Sequence, residues 1–124
     1  MNARELLIDS FRAALSAADP LVIVPKHLPS PPRGRTVVVG AGKAAASMAL
    51  AVEQNWPKDA ALEGVVITRY GHGLPLSRIR VVEAGHPVPD TQGEAAAREI
   101  LSLARSLGPD DLLLVHGHVL GGKR

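Results

Sequence analysis

The sequence of 124 residues has no cysteine, which excludes disulfides, cysteine-based metal sites and thiol nucleophiles. It has only one Trp, one Tyr and one Phe, so it offers no stacking platform for single-stranded nucleic acid. Its basic residues are scattered, and no apolar run approaches the roughly 18 residues of a membrane span. The start of the chain is charged where a signal peptide would be apolar. We therefore expect a cytoplasmic protein without nucleic-acid or membrane partners.

The residues that remain are largely aliphatic, and 46% of the chain is hydrophobic. Such a composition favours a parallel sheet covered by helices. Periodicity and turn residues predict helices over 2–18, 20–27, 42–54 and after Asp90, and strands over 36–39, 64–68, 79–83 and 112–115. This order predicts a Rossmann-like α/β fold, with a parallel or mixed sheet of about four strands and helices on both faces.

The most informative stretch runs from Thr36 to Ala46 and reads as a buried strand, a glycine turn and the start of a helix. Gly40 and Gly42 permit the tight turn, and the unpaired N–H groups of a helix start attract anions. Lys43 adds a positive charge at the same point. The stretch predicts a site for phosphate; the alternative is a structural turn with a solvated Lys43.

Two further loops, 69–73 and 85–90, also follow predicted strands and are expected at the same edge of the sheet. The strand after the glycine turn ends in Thr68-Arg69, whereas NAD-binding domains place an acidic residue there for the ribose. Ordinary NAD binding is therefore disfavoured, although an arginine suits a 2′-phosphate. The turn also lacks the spacing of a Walker A loop.

Glu83, His86 and Asp90 are candidates for acid, base or metal-ligand roles. The alternative is that Asp90 caps a helix and His86 is an ordinary loop residue. His116 and His118 alternate as metal ligands do, but two histidines without a third ligand make a poor site, so no metal ligands are identified. Residues 116–124 are expected to be neither helix nor strand. We expect Arg33 and Arg35 to be solvated, and Trp56 to pack in the core.

Three stretches together, 37–45, 64–72 and 83–90, resemble the N-terminal part of the class II glycerate 2-kinase family, whose members are also named hydroxypyruvate reductases of tartrate degradation. The resemblance covers residues from about 3 to 115, roughly the first third of a full member. It implies that residues 1–124 are a partial N-terminal Rossmann-like domain and that the smaller C-terminal domain is absent. The oligomeric state is not indicated.

The resemblance implies ATP-dependent phosphorylation of D-glycerate at its 2-hydroxyl, with a divalent metal such as Mg²⁺. It identifies Lys43 as the catalytic lysine and places Gly40, Gly42, His86 and Asp90 at the substrate or nucleotide. A partner arginine from later in the family sequence has no counterpart, so this chain alone is expected to be inactive. The alternatives are an NAD(P)H-dependent hydroxypyruvate reductase and a noncatalytic nucleotide-binding fragment.

The end of the chain departs from the family pattern. After the last predicted strand the family continues into a Ser-Gly-Gly-Gly-Ser-Ala type of loop suited to phosphate, whereas this chain ends with Val-Leu-Gly-Gly-Lys-Arg over 119–124. Codons for residues 120–124, shifted by one nucleotide, can encode Ser-Gly-Gly-Ser-Ala. We therefore expect a frameshifted or prematurely ended reading frame.

Overall fold

A computed structural model describes residues 2–117 and contains every predicted helix and strand. The elements are α1 (Ala3–Ala17), α2 (Pro20–Ile23) with a 3₁₀ turn (Val24–His27), β1 (Thr36–Ala41), α3 (Ala45–Asn55), β2 (Leu62–Arg69), β3 (Ile79–Ala84), α4 (Thr91–Arg105) and β4 (Leu112–Gly117). The four strands form one sheet in the order β3-β2-β1-β4, and all three pairings are parallel. The predicted α/β fold is confirmed, with a parallel rather than a mixed sheet.

The helix starts follow the capping residues in the sequence. Asn2 accepts the N–H of Glu5 at 2.8 Å, and the Glu5 carboxylate accepts the N–H of Asn2 at 3.2 Å, which forms a capping box on α1. Asp19 accepts the N–H of Leu21 at 3.0 Å, and Pro20 occupies the first position of α2. These local signals explain why both helices begin where the sequence predicts.

Helices α3 and α4 lie on opposite faces of the sheet. Alternate side chains of the strands pack on α3 in a buried cluster that includes Val38, Val66, Ile79, Ala49 and Trp56. On β3 the intervening residue Arg80 pairs with Glu99 of α4 instead. Because successive side chains of a strand point to opposite faces, α4 covers the other side. The predictions of helices on both faces and of Trp56 in the core are confirmed.

The apolar stripe of α1 is exposed, with Leu7 70% and Phe11 64% exposed, and α1 has no buried residue. Strand β4 lies at an edge of the sheet, where Val115 is 67% exposed. The 3.6-residue period predicted the helix but could not show what covers its apolar side. Among the helices of residues 2–117, none combines the length and apolar character needed to cross a membrane.

The prediction that Arg35 is solvated is wrong. Its guanidinium donates to Glu63 of β2 at 2.5 Å and to the carbonyl oxygen of Ser106, after α4, at 3.0 Å. Its backbone N–H donates to Asp111, just before β4, at 2.9 Å. Arg35 therefore links three segments at the amino end of the sheet, and only its neighbour Arg33 remains exposed.

The structure also corrects the ends of two elements. Helix α3 begins at Ala45, three residues later than predicted, and β4 continues through His116 and Gly117, which were expected to be irregular. His118 and the stretch 119–124, with its predicted change of reading frame, lie outside the described residues. That prediction and the predicted absence of a C-terminal domain stay predictions.

Candidate functional site

Three loops meet at the carboxyl edge of the sheet, because the parallel strands β1, β2 and β3 end side by side. Ala41 pairs with Ile67 across β1 and β2, and Arg69 pairs with Ala84 across β2 and β3. The N–H of Gly42 donates to the carbonyl oxygen of Ile67 at 3.0 Å, which fastens the glycine turn to β2. The predicted convergence of the loops after these three strands is confirmed.

The two glycines of the turn are needed for different reasons. Gly42 has a φ of 131°, a conformation that side chains rarely adopt. Gly40 is buried in β1, and a Cβ there would lie 2.1 Å from the carbonyl oxygen of His116 in β4. Close strand packing thus accounts for Gly40, while a contact between Gly40 and a ligand stays a prediction.

The start of α3 is uncapped and lies directly after Lys43. Ala44 is at the N-cap position, has no side-chain hydrogen bond, and has φ −96° and ψ 2° rather than the extended backbone of a typical capping residue. The N–H of Ala45 donates to the carbonyl oxygen of Gly42 at 3.2 Å, and no side chain of the N-cap residue caps the first turn. The positive end of the helix dipole therefore lies at the glycine turn. Lys43 is exposed beside them. The geometry suits an anion, as the sequence predicts.

A cavity of about 130 Å³ opens between the three loops. Its lining includes Ala41, Gly42, Thr68, Arg69, Gly85 and His86. Thr68 is 2% exposed, and its hydroxyl has no hydrogen-bond partner among the described residues. Such a volume is small beside the roughly 300–1,000 Å³ of pockets for drug-sized ligands, so the cavity suits a small molecule better than a nucleobase.

Asp90 connects the loop after β3 to the loop after β2. Its Oδ1 accepts the N–H of Gly93 at 3.0 Å, which caps α4, and its Oδ2 accepts the N–H of Gly85 at 2.9 Å. Oδ2 also accepts the hydroxyl of Tyr70 at 2.6 Å. This hydrogen bond lowers the pKa of Asp90 and raises the pKa of Tyr70. The alternative role of Asp90 as a helix cap is confirmed, and a direct contact with substrate stays a prediction.

Glu83 has a similar positioning role. Its Oε1 accepts the N–H groups of Gly71 at 3.1 Å and Gly73 at 3.0 Å, and so it holds the loop that follows β2. In the part of the chain that the structure describes, no group of three or more His, Asp or Glu residues is placed to hold a metal ion. The metal and its ligands therefore stay predictions.

Sequence reasoning missed the environment of His116, which is 8% exposed and has an Nδ1 without a partner among residues 2–117. Burial lowers the pKa of this histidine. It lines a second, mostly apolar cavity of about 310 Å³ between β4 and the α2 region. In the sequence, His116 lies two residues after Leu114, which belongs to an apolar run that predicts a buried strand. This spacing was the sequence signal for the burial of His116.

Comparison with known proteins supports the resemblance predicted from the three stretches. A protein of Agrobacterium vitis with the provisional name hydroxypyruvate reductase is 52% identical over 114 residues, which cover 92% of this chain and 26% of that protein. The D-glycerate 2-kinase of Thermotoga maritima is 35% identical over 114 residues, covering 91% of this chain and 27% of that protein. The chain thus spans about a quarter of the length of these relatives, less than the predicted third.

Solved structures are similar as well. A protein from Pyrococcus horikoshii matches with a TM-score of 0.77 and 32% identity over 93% of this chain and 28% of its own. A glycerate kinase from Thermotoga maritima matches with a TM-score of 0.75 and 33% identity over 90% of this chain and 27% of its own. Residues 6–122 match the model of a family described as a domain of unknown function, DUF4147. Since that match covers nearly all of the sequence, the chain belongs to the DUF4147 family.

Proposed function

We propose that this chain forms the anion-binding part of a glycerate 2-kinase, which transfers the γ-phosphoryl group of ATP to the 2-hydroxyl of D-glycerate. The observation that carries the proposal is the uncapped start of α3, with Lys43 beside it and a small cavity next to the turn. The name of the Thermotoga maritima relative supports the same reaction.

Phosphoryl transfer depends on positioning and on neutralising the charge of the transferred group. In the proposed reaction the 2-hydroxyl oxygen of glycerate bonds to the γ-phosphorus, the bond to the β–γ bridging oxygen breaks, and the hydroxyl proton leaves to solvent. Lys43 and the positive end of the α3 dipole, which no N-cap side chain covers, stabilise the negative charge on the phosphoryl oxygens. A Mg²⁺ ion bound with ATP would add neutralising charge, although no group of three or more His, Asp or Glu among the described residues is placed to hold it.

The second candidate is an NAD(P)H-dependent hydroxypyruvate reductase, which the name of the Agrobacterium vitis relative favours. This reading conflicts with the end of β2, where Thr68 and Arg69 occupy the place of the acidic residue that holds the NAD ribose. Arg69 instead suits the 2′-phosphate of NADPH. The two candidates therefore differ in whether a nicotinamide cofactor is consumed.

The test is a chimera in which this chain replaces the aligned segment of the Thermotoga maritima D-glycerate 2-kinase. With ATP, Mg²⁺ and D-glycerate we expect ADP release, and with hydroxypyruvate and NADH or NADPH we expect no oxidation. Lys43→Ala should lower kcat about 100-fold or more, as loss of a charge-stabilising group does. The matched control Lys58→Ala removes an exposed lysine beyond the other end of α3.

Three outcomes contradict the proposal. A folded chimera that releases no ADP contradicts the kinase reading, and oxidation of NADH or NADPH without ADP release selects the reductase. Retained activity in the Lys43→Ala chimera removes Lys43 from the reaction. The 124-residue chain by itself is expected to release no ADP. If the chimera binds ATP but does not turn it over, the result supports a noncatalytic nucleotide-binding fragment.

A further inference from the structure

The small cavity at the carboxyl edge contains an arginine without an acidic partner. Arg69, the last residue of β2, and His86, two residues beyond β3, both line it. Among the described residues, the guanidinium of Arg69 makes no ion pair or side-chain hydrogen bond. No ion pair within this part of the chain therefore neutralises this exposed residue of the cavity lining.

The carboxylates next to these loops, Asp90 and Glu83, accept hydrogen bonds from loop residues other than Arg69. Asp90 accepts hydrogen bonds from Tyr70, Gly85 and Gly93. Glu83 accepts the N–H groups that follow Tyr70 in the loop after β2. Neither carboxylate is paired with Arg69. Arg69 is therefore the candidate among the lining residues for binding an anion.

The shape of the cavity indicates the class of ligand. With about 130 Å³ it accommodates a small acid, and the planar fork of an arginine binds a carboxylate through two parallel hydrogen bonds. Gly42 lines the same cavity, and Lys43 follows Gly42 in the chain. A small acid in this cavity therefore lies between the end of β2 and the glycine turn, where the phosphoryl group is proposed to lie.

We propose that Arg69, assisted by His86, binds the carboxylate of a small 2-hydroxy acid, and that this subsite is separate from the phosphoryl position at Lys43. The inference rests on the proposed function and deepens it by assigning opposite ends of the substrate to different loops. Arg69 is a binding residue that orients the acid, so its loss should affect the binding of the acid more than that of ATP.

The experiment titrates the isotope-labelled 124-residue chain with D-glycerate, glycerol, inorganic phosphate and ATP while backbone amide signals are followed by NMR. D-glycerate should shift the amides of Gly42, Arg69 and Gly85, whereas glycerol, which lacks the carboxylate, should not. Arg69→Gln should weaken D-glycerate binding about tenfold or more, the range for a lost charged hydrogen bond. It should change ATP binding less than about twofold, since ATP contacts the Lys43 side.

Arg33→Gln is the matched control, because it removes the same charge from an exposed residue before β1 and should leave D-glycerate binding unchanged. Arg69→Lys keeps the charge but not the fork and should give an intermediate loss. Since Arg69 is exposed, its variants should retain the wild-type spectrum outside the cavity.

The subsite is overturned if the chain binds no D-glycerate, if glycerol shifts the same amides equally, or if Arg69→Gln binds D-glycerate like the wild type. Equal weakening of phosphate and D-glycerate binding assigns Arg69 to phosphoryl oxygens and also overturns it. The kinase chimera separates this failure from failure of the proposed function. If the chimera is active and Arg69→Gln leaves its KM for D-glycerate unchanged, the proposed function stands and the subsite is wrong. If the chimera is inactive but D-glycerate binding depends on Arg69, the subsite stands and the proposed function is wrong.

Discussion

Replacing Glu53 with alanine should loosen the start of β3 from the end of α3. The Glu53 carboxylate accepts the N–H of Ser77 through both oxygens, at 3.0 and 2.9 Å, and its Oε1 also accepts the N–H groups of Arg78 and Ile79, the latter at 3.1 Å. In return the Arg78 guanidinium donates to the carbonyl oxygen of Trp56 at 3.2 Å, just after α3. These contacts of Glu53 and Arg78, called the clamp below, hold the segment between the Tyr70 loop and the start of β3 against the end of α3.

The size of the effect depends on which N–H groups water can reach after the substitution. Ser77 is exposed and regains a water partner, whereas Ile79 is 2% exposed. A buried donor left without a partner costs about 1–3 kcal/mol, and a hydrogen bond to a charged group contributes about 1.5–3 kcal/mol. We therefore expect Glu53→Ala to lower the free energy of unfolding by about 2–3 kcal/mol, less than a sum of three full bonds. Glu53→Gln keeps one acceptor oxygen and should lose about 1 kcal/mol.

The same clamp predicts a dependence on pH. Partial burial raises the pKa of Glu53, but the hydrogen bonds from Ser77, Arg78 and Ile79 outweigh it and lower the pKa below its ordinary value of 4.5. A carboxylate with a lowered pKa in the folded state stabilises the fold fully above its unfolded pKa, and this contribution is lost as the pH falls through the folded pKa. The stability difference between wild type and Glu53→Gln should therefore shrink below about pH 4.5.

Urea denaturation followed by far-ultraviolet circular dichroism measures both effects, at pH 7 and at a series of lower pH values. Glu94→Gln is the matched control, since it removes an exposed carboxylate that, within residues 2–117, is paired only with Arg98 on the same helix. It should change stability by less than about 0.5 kcal/mol. The reasoning is refuted if Glu53→Ala is as stable as the wild type, or if Glu53→Gln keeps the full acid dependence of the wild type.

Three further predictions concern single side chains. Thr36→Val should leave the free energy of unfolding, measured by urea denaturation, unchanged or raise it by up to about 1 kcal/mol. The reason is that the fully buried Thr36 hydroxyl has no partner among the described residues. A clear loss of stability would show that the hydroxyl has a partner. Gly40→Ala should destabilise the fold by about 2 kcal/mol or more, because its Cβ would meet the carbonyl oxygen of His116, and a stable variant would contradict the close packing of β1 and β4. Tyr70→Phe should move the pKa of Asp90 up towards its ordinary value of 3.8, as followed by NMR titration of the carboxyl carbon, and an unchanged pKa would contradict the hydrogen bond.

Sequence reasoning succeeded where the information is local. The glycine turn and the cap at Asp90 could be predicted because each depends on residues within one or two turns of chain. The strands were found as well, but their bounds differ from the predicted ones by up to two residues. Sequence reasoning failed for Arg35, whose partners Glu63 and Asp111 are 28 and 76 residues away. No periodicity indicates such a pairing before the order of the strands is known.

The site shows the same division between local and distant information. The position of Lys43 before a helix start could be predicted, but the hydrogen bond between Tyr70 and Asp90 joins residues 20 apart. The hydroxyl of Thr68 has no hydrogen-bond partner within residues 2–117, and this depends on what surrounds the end of β2, which the sequence does not specify. The cavity itself arises only when three strand ends are aligned by the parallel register.

Ion pairing differs between the two ends of the sheet, and the net charge of +2 for the whole chain does not describe the candidate anion site. At the amino end Arg35 is neutralised by Glu63 and Asp111. At the carboxyl end the carboxylates accept backbone N–H groups and the Tyr70 hydroxyl, while no ion pair engages Lys43 or Arg69 among the described residues. Because exposed charges are screened beyond about 10 Å at 0.1 M salt, a ligand at this edge responds to these nearby groups and not to the overall charge.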